Sequence, residues 1–476
     1  MPPSPAEVFA QLGRTHSAAN PVALLDTAVV LGGSVAGLLA ARVLADYAGS
    51  VLIVERDDLA GADRRGVPHG LQGHALLPGG LRQIERWFPG YTEQAVGLGA
   101  EFAGAGERAA FVDGVQTVGT RDTVLLSLSR PFLEGQIRER VLALPNVRVL
   151  TGRAVGLDVG AGAVTGVRYL AGDTEASVPA ELVVDAMGRA SKVADWLGEA
   201  GWTPPPLRRM VTNINYATGY FTRQPGADPI KAAIVRNGPG YRRSDIAVAA
   251  LNAVEDNRWM ILLAGYDEDR PGRDGADFVA RCRSELPAVF GAAVAGAQLG
   301  EIRTYHQADT RRRDFDRVGL PAGLVAVGDA VASFNPAYGQ GVSSAALHVS
   351  CLAAYLESVP ALAEPATMFF DLQRVVVDAA WQISTAADAA RLPPVGRPPL
   401  RARMRRWLGS QVVAATVTNL AVAERFEAVA TMLEHPSTLA DPALALRAVA
   451  VNQLARRRRR TDRAASNVGS IAARQN

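Results

Sequence analysis

Short apolar runs, separated by clusters of small and turn-forming residues, mark the most regular parts of the chain. Thr27 to Leu31 is apolar, Gly32 to Gly37 is a turn of small residues, Leu38 to Tyr47 is rich in helix formers, and a second apolar run, Val51 to Val54, ends in Glu55. The pattern predicts β-turn-α-β within this stretch. Far along the chain, Leu324 to Val327 predicts another buried strand that stops at Gly328-Asp329. A turn-rich loop through Pro336 and Gly339-Gln340-Gly341 follows, and then a helix starting near Val342. Thr212 to Phe221 and Arg258 to Tyr266 have strand composition and are expected to contribute to a sheet. Residues 360–455 are Ala/Leu-rich and helical in pattern, broken by LPPVGRPPL from Leu392 to Leu400. No internal repeat stands out.

The first turn, GGSVAG, carries a specific chemistry. Gly32 makes the tight turn, the third position lets backbone approach a pyrophosphate, and Gly37 lets the helix pack closely on the strand. The free N–H groups of the helix N-terminus face the phosphates with a partial positive charge. Glu55 lies 18 residues past Gly37, where a carboxylate accepts both ribose hydroxyls of an adenosine. Ser34 stands where the middle glycine of GxGxxG is usual; it is small, and its hydroxyl is able to donate to a phosphate. A rival reading takes Gly32 to Ala36 as a nucleophile elbow with Ser34 as nucleophile. Only 26 residues precede this strand, which leaves little room for earlier strands and an oxyanion loop, and that reading gives Glu55 no role. The motif alone separates neither NAD from FAD nor a cofactor loop from a tight turn in an ordinary α/β sheet.

The second turn supplies an acidic residue, Asp329, at a strand's C-terminal end, suited to the hydroxyls of a ribityl chain. Behind Gly339 and Gly341 it supplies another helix N-terminus, suited to the edge of an isoalloxazine ring. With these motifs the chain resembles the FAD-dependent monooxygenases of the aromatic hydroxylase and squalene epoxidase type. The GD…P…GQG segment of that family is similar to Gly328-Asp329, Pro336 and Gly339-Gln340-Gly341, and its second-strand ERD to Glu55-Arg56-Asp57. RRGVPHGLQGHALL (Arg64 to Leu77), SRPFLEGQIRERV (Ser129 to Val141) and LVVDAMGRASKVADWL (Leu182 to Leu197) resemble a bacterial branch that includes flavin epoxidases of polyether pathways. The resemblance spans roughly residues 27 to 355.

It implies that Gly32, Ser34, Val35, Ala36 and Gly37 surround the pyrophosphate, that Glu55 and Arg56 hold the adenosine, and that Arg64 reaches the cofactor. It also implies that Arg130 contacts phosphate or ribityl oxygens, that Val155 lies against the adenine through backbone, that Asp329 holds the ribityl chain, and that Gly339, Gly341 and Val342 meet the flavin ring. Two positions depart from the pattern. Met187 stands where many relatives have the aspartate of an ADG segment, which bears on how NADPH or NADH is met and leaves room for a partner reductase. Ala332 stands where histidine is frequent after GDA, which makes the flavin edge more apolar.

The expected fold is α/β: a discontinuous Rossmann-like FAD-binding domain from residues 20–75, 130–200 and 305–355. An α+β substrate-binding domain from 76–129 and 201–304, a helical C-terminal region over 356–455 and a basic flexible tail over 456–476 complete it. The 476 residues, 48% hydrophobic, suffice for such a core. Net charge is only +3, and the basicity sits at the end. From Leu454 onward seven arginines and one aspartate give +6, leaving −3 on the rest, so nucleic acid is not an expected partner. The tail is a solvated segment or an adhesion to an acidic surface. Cys282 and Cys351 lie far apart and fit a reducing compartment. With neither a secretory signal nor an uninterrupted apolar span, a cytoplasmic location without a transmembrane segment is expected. The six histidines have no metal-ligand spacing, so no metal is expected.

The resemblance implies insertion of one oxygen atom from O2 into a small apolar substrate, polyketide- or terpenoid-like, through a flavin C4a-hydroperoxide. The protein's part is to place the substrate and exclude water. No Tyr-His or similar pair stands out as a base for a phenol, which favours alkene epoxidation over aromatic hydroxylation. A flavin-dependent reductase or dehydrogenase without oxygen insertion is the alternative of a different reaction class. Flavin halogenases carry WxWxIP, a spacing the six tryptophans do not show.

Overall fold

The computed structural model describes residues 3–14, 21–59, 70–121, 123–224, 226, 229–392, 399–455 and 457. Among these, Leu25–Leu31, Ala48–Glu55, Val147–Thr151, Leu182–Asp185 and Leu324–Ala326 form one parallel sheet. Leu25–Leu31 sits at its centre, between Ala48–Glu55 and Leu182–Asp185; Leu324–Ala326 lies beyond the latter and Val147–Thr151 beyond the former. Parallel strands need crossovers and are covered on both faces, which is why these segments read as nearly continuous apolar runs. Val35–Leu44 and Gln340–Glu357 supply two of the covering helices. Leu38, Leu39 and Val43 from the first, and Ala346, Val349 and Leu352 from the second, join Val29, Val183 and Val325 in one buried cluster.

A second sheet runs, in spatial order, Ala332–Ser333, Arg303–Arg313, Leu207–Thr222, Arg258–Tyr266, Val248–Val254, Ala232–Arg236, Arg108–Val112 and Val115–Gln116. Alternation of side chains gives it two different faces. On one, Ala217, Phe221, Val235, Leu251 and Ile261 pack against Phe278, Cys282 and Phe290 of the helices Gly275–Ser284 and Ala288–Ala293. The other carries Ile214, Tyr216, Val248, Leu262 and Ala264, and packs against Ala337 of the second glycine turn. Three further strands, Arg153–Gly160, Ala163–Ala171 and Thr174–Pro179, form an antiparallel sheet of their own.

Several segments differ from the sequence pattern. The first helix begins at Val35 and not at Leu38, because the turn closes in fewer residues. The helix after Gly339 begins at Gln340, so Gly341 and Val342 lie inside its first turn. The strand expected over 212–221 extends over Leu207–Thr222 and absorbs a bulge between Val211 and Ile214, with Asn213 at φ 45°. Two expected boundaries also fall elsewhere. Residue 305 lies inside Arg303–Arg313, a strand of the second sheet, and Pro78–Trp87 buries Leu81, Ile84 and Trp87 in the core of the first sheet. In the C-terminal region, Thr367–Ala389 joins that same core through Phe369, Phe370 and Val376. Leu400–Ala415 and Leu420–Ala430 share a small cluster around Val412 and Val422. Among the described residues no helix is long and apolar enough to cross a membrane, and no group of His, Cys, Asp and Glu forms a candidate metal site. Apart from Arg457, the expected tail lies outside the described residues.

Candidate FAD site and substrate face

The first glycine turn is closed by two approaches that only glycine permits. Gly32 takes φ +104°, and a Cβ there would stand 2.6 Å from the Ala186 carbonyl oxygen. A Cβ on Gly37 would stand 1.8 Å from the Gly32 carbonyl oxygen, so only glycine lets the helix reach the strand end. Ser34 is the N-cap of Val35–Leu44, but its side chain makes no capping bond. Its hydroxyl donates to Glu134 (2.8 Å) and accepts from the Arg130 guanidinium (3.0 Å). Arg130 opens the helix Arg130–Leu142, capped by Ser129. Arg130 also pairs with Glu134 at 3.4 Å, so a cation and a helix N-terminus, both suited to an anionic pyrophosphate, meet at a point where Glu134 holds the Ser34 hydroxyl proton.

Glu55 ends its strand buried, and its carboxylate accepts from the Gly33 N–H (2.6 Å) and the Asp57 N–H (2.9 Å). Arg56 is exposed and lies 3.8 Å from Asp57. Val155 follows the strand Val147–Thr151 and lies inside the next one, Arg153–Gly160. There the register with Ala163–Ala171 slips between Ala154 and Gly156, which leaves Val155 as the extra residue of a bulge. A bulged residue has no partner across the ladder, which suits a backbone contact to a ligand. Arg64 lies outside the described residues.

The second turn meets the first. Gly328, at φ +62°, approaches so closely that a Cβ there would stand 2.7 Å from the Ala36 methyl. The Gly328 N–H donates to Nδ1 of His348 at 3.1 Å, and the opposite ring nitrogen faces the Ser344 hydroxyl at 3.3 Å. Burial alone pushes His348 down to about 3, so the ring is neutral and serves as an acceptor that orients the Gly328-Asp329 turn. Gly339 caps the next helix at φ +66°, and a Cβ on Gly341 would meet nothing within 4 Å. Gln340, between them, is fully buried with neither amide atom hydrogen-bonded. Orphaned buried amide atoms are costly and rare. Here they sit in the first turn of a helix whose N-terminus is aimed where a flavin edge is expected, so the residues fit FAD.

Asp185 shows what became of the acidic position near Met187. It is fully buried, accepts from the Met187 N–H (3.1 Å) and the Ser191 hydroxyl (2.5 Å), and holds the turn that follows its strand. Burial pushes its carboxyl up to about 6, against the two hydrogen bonds. Its side chain is committed to this turn.

Sequence reasoning missed a polar cluster on the free face of the second sheet. Asp388, from the C-terminal helix Thr367–Ala389, is 1% exposed. Its Oδ1 accepts from the Tyr266 hydroxyl (2.7 Å), Asn335 Nδ2 (2.8 Å) and the Tyr338 hydroxyl (3.1 Å), while Oδ2 is unpartnered. The Tyr216 hydroxyl bonds Asn335 and accepts from the Ala337 N–H. Burial raises Asp388 and all three tyrosines, so the phenols stay protonated. Four segments supply this cluster, none with a local motif, and nothing in the sequence marks it. Close by, Gln72 and Gly73 bond Thr218, and Ala75 backs onto Gly339, so the 72–75 segment closes over the gap between turn and sheet.

With this geometry in place, comparison with known proteins defines the class. A family described as an FAD binding domain matches residues 128–365. Protein Rv3254 of Mycobacterium tuberculosis is 32% identical over 349 residues, covering 69% of this chain and 72% of that protein. The chain belongs to this FAD-binding family, and its resemblance to the FAD-dependent monooxygenases holds at that level. Among solved structures, the flavin-dependent brominase Bmp2 superposes with a TM-score of 0.62 at 15% identity, over 90% of this chain and 99% of that one. The p-nitrophenol 4-monooxygenase PnpA of Pseudomonas putida DLL-E4 gives 0.61 at 18%, over 87% and 99%. These two show a shared fold.

Proposed function

We propose that the protein is an FAD-dependent monooxygenase. It adds one oxygen atom from O2 to a largely apolar substrate lying against the sheet face that carries Val248, Leu262 and Ala264. The observation that carries this is the approach of Gly328 to Ala36, which brings the pyrophosphate turn and the ribityl turn together as one cofactor would require. Bound FAD, once reduced, supplies the activation of O2. The chain supplies the rest: Ser34 and Arg130 hold phosphate charge, Glu55 and Asp329 take sugar hydroxyls, and the Gln340–Glu357 N-terminus faces the ring edge. Apolar side chains on the sheet keep water from the reacting centre. NADPH or NADH provides the electrons, and Met187 in place of an acidic residue leaves a role for a partner reductase. The buried, unpaired thiols of Cys282 and Cys351 fit a cytoplasmic setting. Incubating the yellow holoprotein with reductant and candidate alkenes under ¹⁸O2 is expected to give products heavier by one labelled oxygen. Turnover without label would leave a reductase or dehydrogenase instead.

Epoxidation of a natural-product alkene followed from the lack of a visible base, and the Asp388 cluster changes that balance. Asp388 is too buried to meet a substrate hydroxyl itself, but it accepts from the phenols of the less buried Tyr266 and Tyr338, through which a substrate proton is able to reach it, and this favours aromatic hydroxylation as a second reading. Asp388→Asn separates the two. Epoxidation of a simple alkene is expected to change less than about threefold, whereas hydroxylation of a phenol is expected to fall about a hundredfold and to lose its acidic pH limb.

A further inference from the structure

The substrate face also holds a cation that the apolar reading does not use. Arg236 ends the strand Ala232–Arg236, and register places it beside Val248 and Val112, on the face that carries Leu262, Ala264 and Tyr266. The opposite face takes Ala233 and Val235 into the helix-covered core. Arg236 is only partly exposed, and its guanidinium has neither a carboxylate within ion-pair distance nor a hydrogen-bond partner among the described residues.

The nearest acidic group is already taken. Glu427 pairs with Arg108 at 2.8 Å through one oxygen and accepts from the Thr120 hydroxyl through the other. Arg108 lies on the strand next to Arg236 and on the same face. Two guanidiniums thus share one carboxylate, and the surplus positive charge rests on Arg236. Burial lowers its proton affinity, and Glu427 and the Tyr338 hydroxyl only partly oppose this. Tyr338 adjoins Gly339, the cap of the helix that faces the flavin. A half-buried cation without an ion-pair partner is poorly compensated, and it stands at the edge of an apolar surface on the face of the sheet that packs against Ala337.

We propose that Arg236 is a specificity-determining residue that receives an anionic oxygen pair of the substrate, a carboxylate, while the apolar part of the molecule lies along Ile234, Ala250 and Leu262. The assignment rests on the proposed function in that it takes this face as the substrate's. It narrows the substrate class from purely apolar molecules to apolar acids. A guanidinium presents two parallel N–H donors to a carboxylate, and an uncharged amide or ester cannot use them equally.

The test uses FAD-loaded full-length protein. Octanoate and benzoate, each against its primary amide, are titrated while the flavin absorbance and reductant oxidation are followed. Carboxylates are expected to bind at least about tenfold more tightly than amides. Arg236→Met is expected to abolish that preference without moving amide affinity more than about twofold, and Arg236→Lys to restore part of it. Equal affinity for acid and amide in the unaltered protein overturns the assignment, as does an acid preference that survives Arg236→Met or the absence of binding by either acid. Visible flavin content is read on the same samples. A protein that holds no FAD removes the proposed function itself, whereas a yellow protein indifferent to carboxylates removes only the role of Arg236.

Discussion

Single side chains at this site are set more by burial than by residue type. Spacing alone made Glu55 an expected ribose acceptor; the structure shows that two backbone N–H groups hold its carboxylate in one orientation. Asp185 was not legible, since a strand-end aspartate gives no sign of which way it points. Its folded pKa of about 6 lies above the ordinary 3.8, so the folded chain keeps a proton that the unfolded chain releases. The stabilisation is complete below about pH 4 and is lost as pH rises to about 6, amounting to roughly 3 kcal/mol in all. Urea unfolding across that range is expected to show this fall, and Asp185→Asn, whose amide oxygen still accepts from the Met187 N–H while its NH2 donates to the Ser191 hydroxyl, is expected to lack it. His348 carries the same lesson: helix periodicity makes it a core residue, but only its contact with Gly328 makes it a prop for the cofactor turn.

At the scale of elements, the small-residue turn and its helix were readable because their geometry is local. Gly37 is required by its contact with the Gly32 carbonyl five residues back, and Gly32 by its own φ of +104°, although the Ala186 carbonyl that a Cβ there would also meet comes from far along the chain. Gly37→Ala puts a methyl group into the Gly32 carbonyl, so the helix must retreat from the strand. Loss of about 2 kcal/mol of stability is expected, with an FAD affinity lowered more than tenfold; chemical unfolding and flavin titration measure the two. The bulge at Val155 was not readable, because a register slip depends on the partner strand and not on the bulged residue. The strand Leu207–Thr222 outran its expected span for a related reason: pairing with Arg303–Arg313 along one edge carries it back from residue 212 to Leu207 through Arg208 and Arg209, which have little strand preference of their own.

Across the whole molecule, the cofactor site is a junction. The turn at Gly32 lies nearly three hundred residues before the turn at Gly328 and the helix cap at Gly339, and a dinucleotide lying across them would tie together the first sheet, the second sheet and the C-terminal helix that brings Asp388. Such a ligand stabilises by mass action, about 2.7 kcal/mol at a hundredfold excess over its Kd. Removing FAD is expected to lower the thermal midpoint by several degrees and to expose the segments joined at Asn335 to proteolysis. Differential scanning of apo and reconstituted protein checks the first, and limited digestion the second. An unchanged midpoint would mean that the two turns do not share one ligand.

The residues alone determined what depends on near neighbours along the chain: the strand-turn-helix units, the glycines that permit them, the acidic ends of the strands, and through these the family. Tertiary structure decided what depends on which faces meet. It placed Ser34 against Arg130, turned Asp185 inward, left Gln340 unpaired, and gathered Asp388, Tyr266, Tyr338 and Arg236 onto the sheet face opposite its helical cover. The physical reason is one of range. Backbone conformation is fixed by contacts a few residues apart, whereas the charge, hydration and partners of a side chain are fixed by whatever the fold brings beside it.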